Sequence, residues 1–218
     1  MKLQHVIAVL ISGSGSNLQA ILDAAERGEF PGRVGVVISN KADAYGLERA
    51  RKHGVPAEVV DHRAFGTREE FDARLVEVIR SYRADLVCLA GFMRVVTPVF
   101  LRAFPQRILN IHPALLPAFP GTHGPRQALQ YGVRFSGCTV HFLDEGVDTG
   151  PVIVQAVVPV YEDDTEDTLA GRILKEEHRI YPMAIRLCLA GKLTISGRRV
   201  LIRGEDRIPD FSRRNPDC

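Results

Sequence analysis

The sequence predicts an α/β fold built on a mainly parallel, twisted sheet with helices on both faces, followed by further strands, a long helix and a short C-terminal hairpin. Three observations carry this expectation. Over the first half, short β-branched apolar runs alternate with amphipathic stretches joined by brief Gly, Pro or Asp punctuation, the pattern of repeated strand–helix–strand units. The first apolar run passes directly into the glycine loop Ser12-Gly13-Ser14-Gly15-Ser16-Asn17 and then into a helical stretch. The composition, 218 residues with 45% hydrophobic and 25% charged, is that of a globular chain long enough for one large domain or a domain with a small lobe.

Taken in order, the apolar runs predict strands over 6–11, 34–39, 57–60, 85–90 and 107–111, with helices over 17–27, 44–53, 67–82 and 98–103. In the third helix Phe71, Leu75, Val78 and Ile79 recur at helical spacing while Arg68, Glu69, Asp72 and Arg80 are expected to face outward, and Thr67 with Glu70 forms a capping box. The texture changes after Ile111. Residues 112–121 hold three prolines, which excludes a regular helix or central strand and predicts an ordered loop. A short helix is expected over 125–131, then strands over 135–143 and 152–160 around a turn at 144–151, a long helix over about 165–189 and a hairpin over 193–202. The polar tail 204–218 is expected to be loosely held.

Twenty-eight basic against 26 acidic residues give a formal charge of +2, with no long run of one sign, which argues against non-specific nucleic-acid binding as the main task. The apolar N-terminus reads as a buried strand, since it has no cleavage pattern and is far shorter than the roughly 20 residues of a membrane span. Cys88, Cys138, Cys188 and Cys218 are widely spaced, without a CxxC pair or a histidine at zinc-ligand spacing. Reduced thiols in a cytoplasmic protein, with no membrane and no metal, are the expectation.

Three places can carry chemistry. The glycine loop lies between a strand and a helix, where backbone amides and a helix N-terminus attract anions. It lacks the Gly-Lys-Ser/Thr of a Walker loop, and Leu18 stands where the dinucleotide fingerprint needs its third glycine, so a simple monophosphate is the expected ligand. The plainer alternative is a tight turn in which Ser16 or Asn17 only caps the helix. Asn110 and His112 fall on the same side of a strand's carboxyl end, where open parallel sheets gather ligands. An amide beside an imidazole suits oxyanion stabilisation and proton transfer, although a histidine before proline is also a common structural residue. Asp144, Glu145 and Asp148 share one turn without calcium-loop spacing, and Asp148, if folded over the sheet end, would hold His112 as a cation.

Together, residues 11–20, Ser39-Asn40-Lys41-Ala42, Leu89-Ala90-Gly91-Phe92-Met93-Arg94, Asn110-Ile111-His112-Pro113 and Asp148-Thr149-Gly150-Pro151 resemble the phosphoribosylglycinamide formyltransferase family, in order and at its spacing from about Val6 to Leu189. The resemblance implies a formyltransferase-like fold with a Rossmann-related N-terminal half, as a single domain over 1–203 whose residues 1–111 bind nucleotide phosphate and whose residues 112–203 bind folate and carry catalysis. It implies transfer of a formyl group from 10-formyltetrahydrofolate, as co-substrate, to the amine of glycinamide ribonucleotide in purine biosynthesis, without a metal. Asn110, His112 and Asp148 match the catalytic trio. Gly15, Ser16, Asn17 and Glu177 match the ribonucleotide contacts. Met93, Arg94, Val95, Val96, Asn110, Asp148, Arg68, Leu143 and Asp144 match the folate site. Ser14 stands where Asn is frequent and Ala114 where His-Pro-Ser is common; both leave the trio intact.

In this expected chemistry the amine attacks the formyl carbon while Asn110 and protonated His112 donate to the oxygen that gains charge, each donor being worth about 3–4 kcal/mol in other enzymes. Asp148 supports the cation and the proton relay. A formyltetrahydrofolate hydrolase typically adds an N-terminal regulatory domain, and a methionyl-tRNA formyltransferase a C-terminal RNA-binding domain for which the 29 residues after Leu189 are too few. A non-catalytic nucleotide-binding module is the alternative from another class. The expected assembly is a monomer or a homodimer.

Overall fold

The computed structural model describes residues 5–204, so the 205–218 part of the expected tail, including Cys218, lies outside the described residues. The chain forms β1 (His5–Ile11), α1 (Ser16–Glu26), β2 (Gly32–Ser39), α2 (Tyr45–Lys52), β3 (Ala57–Val59), a short 3-10 turn (His62–Ala64), α3 (Arg68–Ser81), β4 (Leu86–Leu89), α4 (Pro98–Ala103) and β5 (Ile108–His112). It continues through α5 (Gly124–Tyr131), β6 (Phe135–Phe142), β7 (Val152–Pro159), α6 (Glu166–Leu189), β8 (Leu193–Ser196) and β9 (Arg199–Ile202). The described strands make one sheet in the order β3-β2-β1-β4-β5-β6-β7-β9-β8. β1 to β5 pair in parallel, β6 is antiparallel to both its neighbours, and β9 returns parallel to β7.

Period-two alternation explains why the central strands read as unbroken apolar runs. Ile7, Val9 and Ile11 of β1 enter one core, while Ala8 and Leu10 enter the other. Leu86 and Cys88 against Val87 and Leu89 repeat the division in β4. A strand covered on both faces has no solvent side on which to place polar residues. Helices α1, α2, α5 and α6 contribute to the first core, and α3 and α4 to the second. The Thr67–Glu70 capping box forms as expected and starts α3. Asp72, expected to face outward, is instead buried and accepts from the Thr97 amide at 2.5 Å, tying α3 to the start of α4.

Chain order reverses between β1 and β4, since β2 and β3 extend to one side and β4 and β5 to the other. The loops after β1, β4 and β5 therefore converge beyond the carboxyl ends of the strands, the position where open sheets leave a crevice. α6 braces this edge from behind. The buried Tyr181 hydroxyl lies 3.0 Å from the Leu89 carbonyl and 3.1 Å from that of Leu109, so it shares its proton between the last residue of β4 and the second of β5.

Candidate active site

Asn110 and His112 extend from β5 on the face shared with Ile108, and antiparallel pairing with β6 sets His141 directly beside Asn110 and Thr139 beside His112. His141, fully buried, has Nδ1 2.9 Å from the Phe142 carbonyl, which places the proton there and leaves Nε2 to accept from Asn110 Nδ2 at 3.1 Å. The second Asn110 proton points to Asp148 Oδ1 at 3.4 Å. Thr139 and Gln155 hold the proline-rich loop against the sheet: Thr139 Oγ1 donates to the Ala114 carbonyl at 2.7 Å, and Gln155 Nε2 donates to the Leu116 carbonyl at 2.9 Å. The loop is ordered, as its prolines predicted.

His112 is 4% exposed and sits between two acceptors, the Phe119 carbonyl 2.8 Å from Nε2 and Asp148 Oδ2 3.3 Å from Nδ1. The carboxylate is thus where the sequence placed it, yet the expected cation is not the resting state. Burial lowers the imidazole pKa below its ordinary value and outweighs the Asp148 charge and the Phe119 carbonyl, which pull it up. The short Phe119 contact takes the one proton of the neutral ring to Nε2, so Nδ1, facing Asp148, is the position a second proton enters. Burial raises the Asp148 carboxyl, but the neighbouring His141, the Gly121 amide 2.8 Å from Oδ2 and the His112 imidazole bring it net below the usual range. Phe119 and Asp148 both adopt left-handed backbone at φ 55°, uncommon for residues with a Cβ and costing of order 1 kcal/mol or more each.

The trio forms the floor of a cavity of about 440 Å³ whose walls include Met93, Arg94, Val95 and Val96 on one side and Leu143, Asp144 and Val147 on the other. Met93 and Val95 remain 67% and 55% exposed, apolar walls without a protein partner. Such a slot, with apolar side chains on both walls and polar groups converging at its floor, fits a flat heteroaromatic group that brings its reactive end to Asn110 and His112. Arg68 does not line it; it is exposed on the first turn of α3.

The glycine loop lies at the same sheet edge. Gly15 is the N-cap of α1 in left-handed conformation (φ 71°), and no side chain caps the helix, so the capping alternative fails and the start of α1 is left without a side-chain acceptor. Ser16 is half-buried, while Asn17 turns inward and donates to Glu177 Oε2 at 2.7 Å. The Asn17 donor expected for the ligand is therefore engaged by Glu177, and its buried Oδ1 is left as an unpartnered acceptor. Burial raises the Glu177 carboxyl pKa, with the Asn17 hydrogen bond opposing. Ser12 joins loop and cavity: its hydroxyl donates to Asn40 Oδ1 at 2.6 Å and accepts from the Met93 amide at 2.8 Å.

A doubly covered α/β sheet with a glycine loop after β1 and the polar cluster of Asn110 and His112 on β5 with Asp148 after β6, all at one sheet edge, is the architecture of a group-transfer enzyme, and the formyl transferase family model matches residues 5–185. The chain belongs to that family. It is 47% identical over 203 residues to the phosphoribosylglycinamide formyltransferase of Escherichia coli K12, covering 93% of this chain and 95% of that protein. It is 50% identical over 192 residues to the trifunctional purine biosynthetic protein adenosine-3 of Drosophila melanogaster, of which it spans only 14%. The structure of glycinamide ribonucleotide transformylase 1 from Symbiobacterium toebii superposes with a TM-score of 0.91 at 61% identity, covering 93% of this chain and 95% of the other. Among the described residues no helix is long and apolar enough to cross a membrane.

Proposed function

We propose that the chain transfers the formyl group of 10-formyltetrahydrofolate to the amine of glycinamide ribonucleotide in purine biosynthesis, acting in the cytoplasm on small molecules without nucleic acid. The observation that carries this reading is the placement of an uncapped helix N-terminus and an Asn110–His112–Asp148 floor on one sheet edge, joined through Ser12. Residues 1–111 supply the phosphate loop and one cavity wall; residues 112–203 supply Asp148, the other wall and Glu177.

10-Formyltetrahydrofolate supplies the activated formyl group. Asn110 releases its long contact to Asp148 and donates to the formyl oxygen as that oxygen gains charge, an interaction of the kind worth about 3–4 kcal/mol. His112 starts neutral and receives the proton that the attacking amine gives up. Both the Asp148 carboxylate and the charged oxygen favour the imidazolium formed in this way, and that cation returns its proton to the folate nitrogen as the intermediate collapses and the formyl carbon–nitrogen bond to tetrahydrofolate breaks. Phosphate held at α1 fixes the distal end of the acceptor and turns a bimolecular encounter into a positioned attack.

The deciding experiment incubates the protein with both substrates and follows folate absorbance together with formylation of the ribonucleotide. Product formation dependent on both is expected. Rapid formyl release to water without ribonucleotide would make the protein a hydrolase, and no turnover would make it a binding module.

A further inference from the structure

We propose that Arg49 is a second anchor for the acceptor's phosphate, a side-chain fork that completes the backbone amides of the glycine loop; the proposal rests on the acceptor assignment above. The start of α2 packs directly on that loop. Gly46 N donates to the Gly13 carbonyl at 3.0 Å, and a Cβ on Gly15 would fall 2.7 Å from Gly46 Cα, so both positions require glycine and the two segments pack backbone against backbone. One turn later, Arg49 Nε donates to the Ser14 carbonyl at 2.9 Å and Nη1 to Gln19 Oε1 at 3.0 Å, while the guanidinium carbon stands 5.0 Å from the centre of the Tyr45 ring. The Ser14 contact is to backbone, so the replacement of the frequent Asn by Ser at this position leaves it intact.

The fork is oriented by a chain of hydrogen bonds with one consistent set of donors. Gln19 must present Oε1 to Arg49, so its Nε2 protons go to Asp23 Oδ1 at 2.7 Å and to His53 Nε2 at 2.8 Å. His53 Nδ1 then donates to Glu26 Oε1 at 2.6 Å. The carboxylates stop short of the arginine. Among the described residues Arg49 has no ion pair, and its Nη2 has no protein acceptor. A half-buried guanidinium, fixed on three sides beside an uncapped helix start and left with a free edge, is a site for a planar oxyanion group.

A brace for the Ser14 carbonyl would place the same contacts, so the test separates phosphate binding from loop support. Steady-state constants are measured for the wild type, Arg49→Met and Arg49→Lys with the ribonucleotide, the same acceptor lacking its phosphate, and the folate; thermal melts establish folding. Wild type should prefer the phosphorylated acceptor. Arg49→Met should raise its KM by about ten- to a hundredfold, the range for a hydrogen bond to a charged group, while leaving kcat, the folate KM and the KM of the dephosphorylated acceptor unchanged. Arg49→Lys, which keeps charge without the fork, should fall between. An equal loss for both acceptors, or no loss for either, would show Arg49 to be only a brace and overturn the proposal. If wild type itself failed to distinguish the two acceptors, the acceptor assignment would fall and the anchor with it.

Discussion

Asp148 reaches His112 from a left-handed backbone, and the residue on the opposite side of the ring, Phe119, is left-handed as well. The imidazole is thus gripped by two strained loops, one after β5 and one after β6, which are joined by the Gly121 amide donating to Asp148. Strain concentrated on both neighbours of one buried histidine is spent on geometry, not stability.

The first expectation concerns the floor itself. Asn110→Ala and His112→Ala should fold with near-normal melting and lose about two to three orders of magnitude in kcat, the effect of deleting one oxyanion donor. Normal turnover in both folded variants would remove them from the mechanism.

Asp148→Asn bears on the resting protonation of His112. The Asp148 charge raises the imidazole pKa while burial lowers it by more. Loss of the carboxylate therefore leaves burial less opposed and moves the His112 titration to still lower pH, with kcat reduced because the imidazolium formed during transfer loses its partner. An NMR titration in which the variant's His112 titrates at the same or higher pH would contradict this.

The same shift has a consequence for stability. A histidine whose folded pKa lies below its unfolded value binds more protons when unfolded, so its contribution is fully present above the unfolded value of about 6.5 and is lost as pH falls through the folded one. The wild type should therefore lose melting temperature on acidification below about pH 6.5 more steeply than His112→Gln. Parallel melting curves for the two proteins from pH 7 to 5 would exclude a significant role for this residue.

Tyr181→Phe tests the brace behind the site. The variant leaves the Leu89 and Leu109 carbonyls of β4 and β5 without their shared buried donor, and a stability loss of about 1–2 kcal/mol in urea unfolding is expected. A larger loss of activity than that destabilisation explains would show that the two strands must be tied for Asn110 to stay in place.

How far all this was legible in the sequence differs between local and long-range features. Strands, helices and the ordering of residues 112–121 follow from apolar period, capping residues and proline, which act within a few residues. Asn110 and His112 stand out in the sequence because strand alternation sets both on one side of a strand's carboxyl end, whereas Asp148 joins them only on the condition that its turn folds over that end, and through the family resemblance. His141 was missed because its partnership with Asn110 depends on antiparallel register across 31 residues, and it looks like any buried strand residue until β6 is paired. Asp72 was misread because its outward helical position is covered by Thr97, 25 residues away. The protonation of His112 escaped for a related reason: the charge partner is visible in a turn motif, whereas the depth of burial that outweighs it is a property of the assembled loops.

The last prediction separates acceptor binding from folate binding and concerns Asn17 and Glu177. The wild-type pair joins an amide proton to a buried carboxylate at 2.7 Å. Asn17→Asp replaces the donor by a second carboxylate, and two such groups at that distance cannot both ionise without strong repulsion. One proton is then shared, and the pair's second ionisation moves further above the range to which burial already raises Glu177. A carboxyl whose folded pKa is raised contributes stability at pH below that pKa and loses it as pH rises, so the variant should melt closer to wild type at pH 5 than at pH 8. Above the shared-proton range the extra negative charge lies at the start of α1, where it opposes a phosphate. The variant's KM for the ribonucleotide should therefore exceed that of wild type at least tenfold at pH 8 and converge toward it as pH falls, with the folate KM unchanged throughout. A rise of equal size in both Michaelis constants, or one independent of pH, would mean that Asn17 and Glu177 hold the fold together without meeting the acceptor.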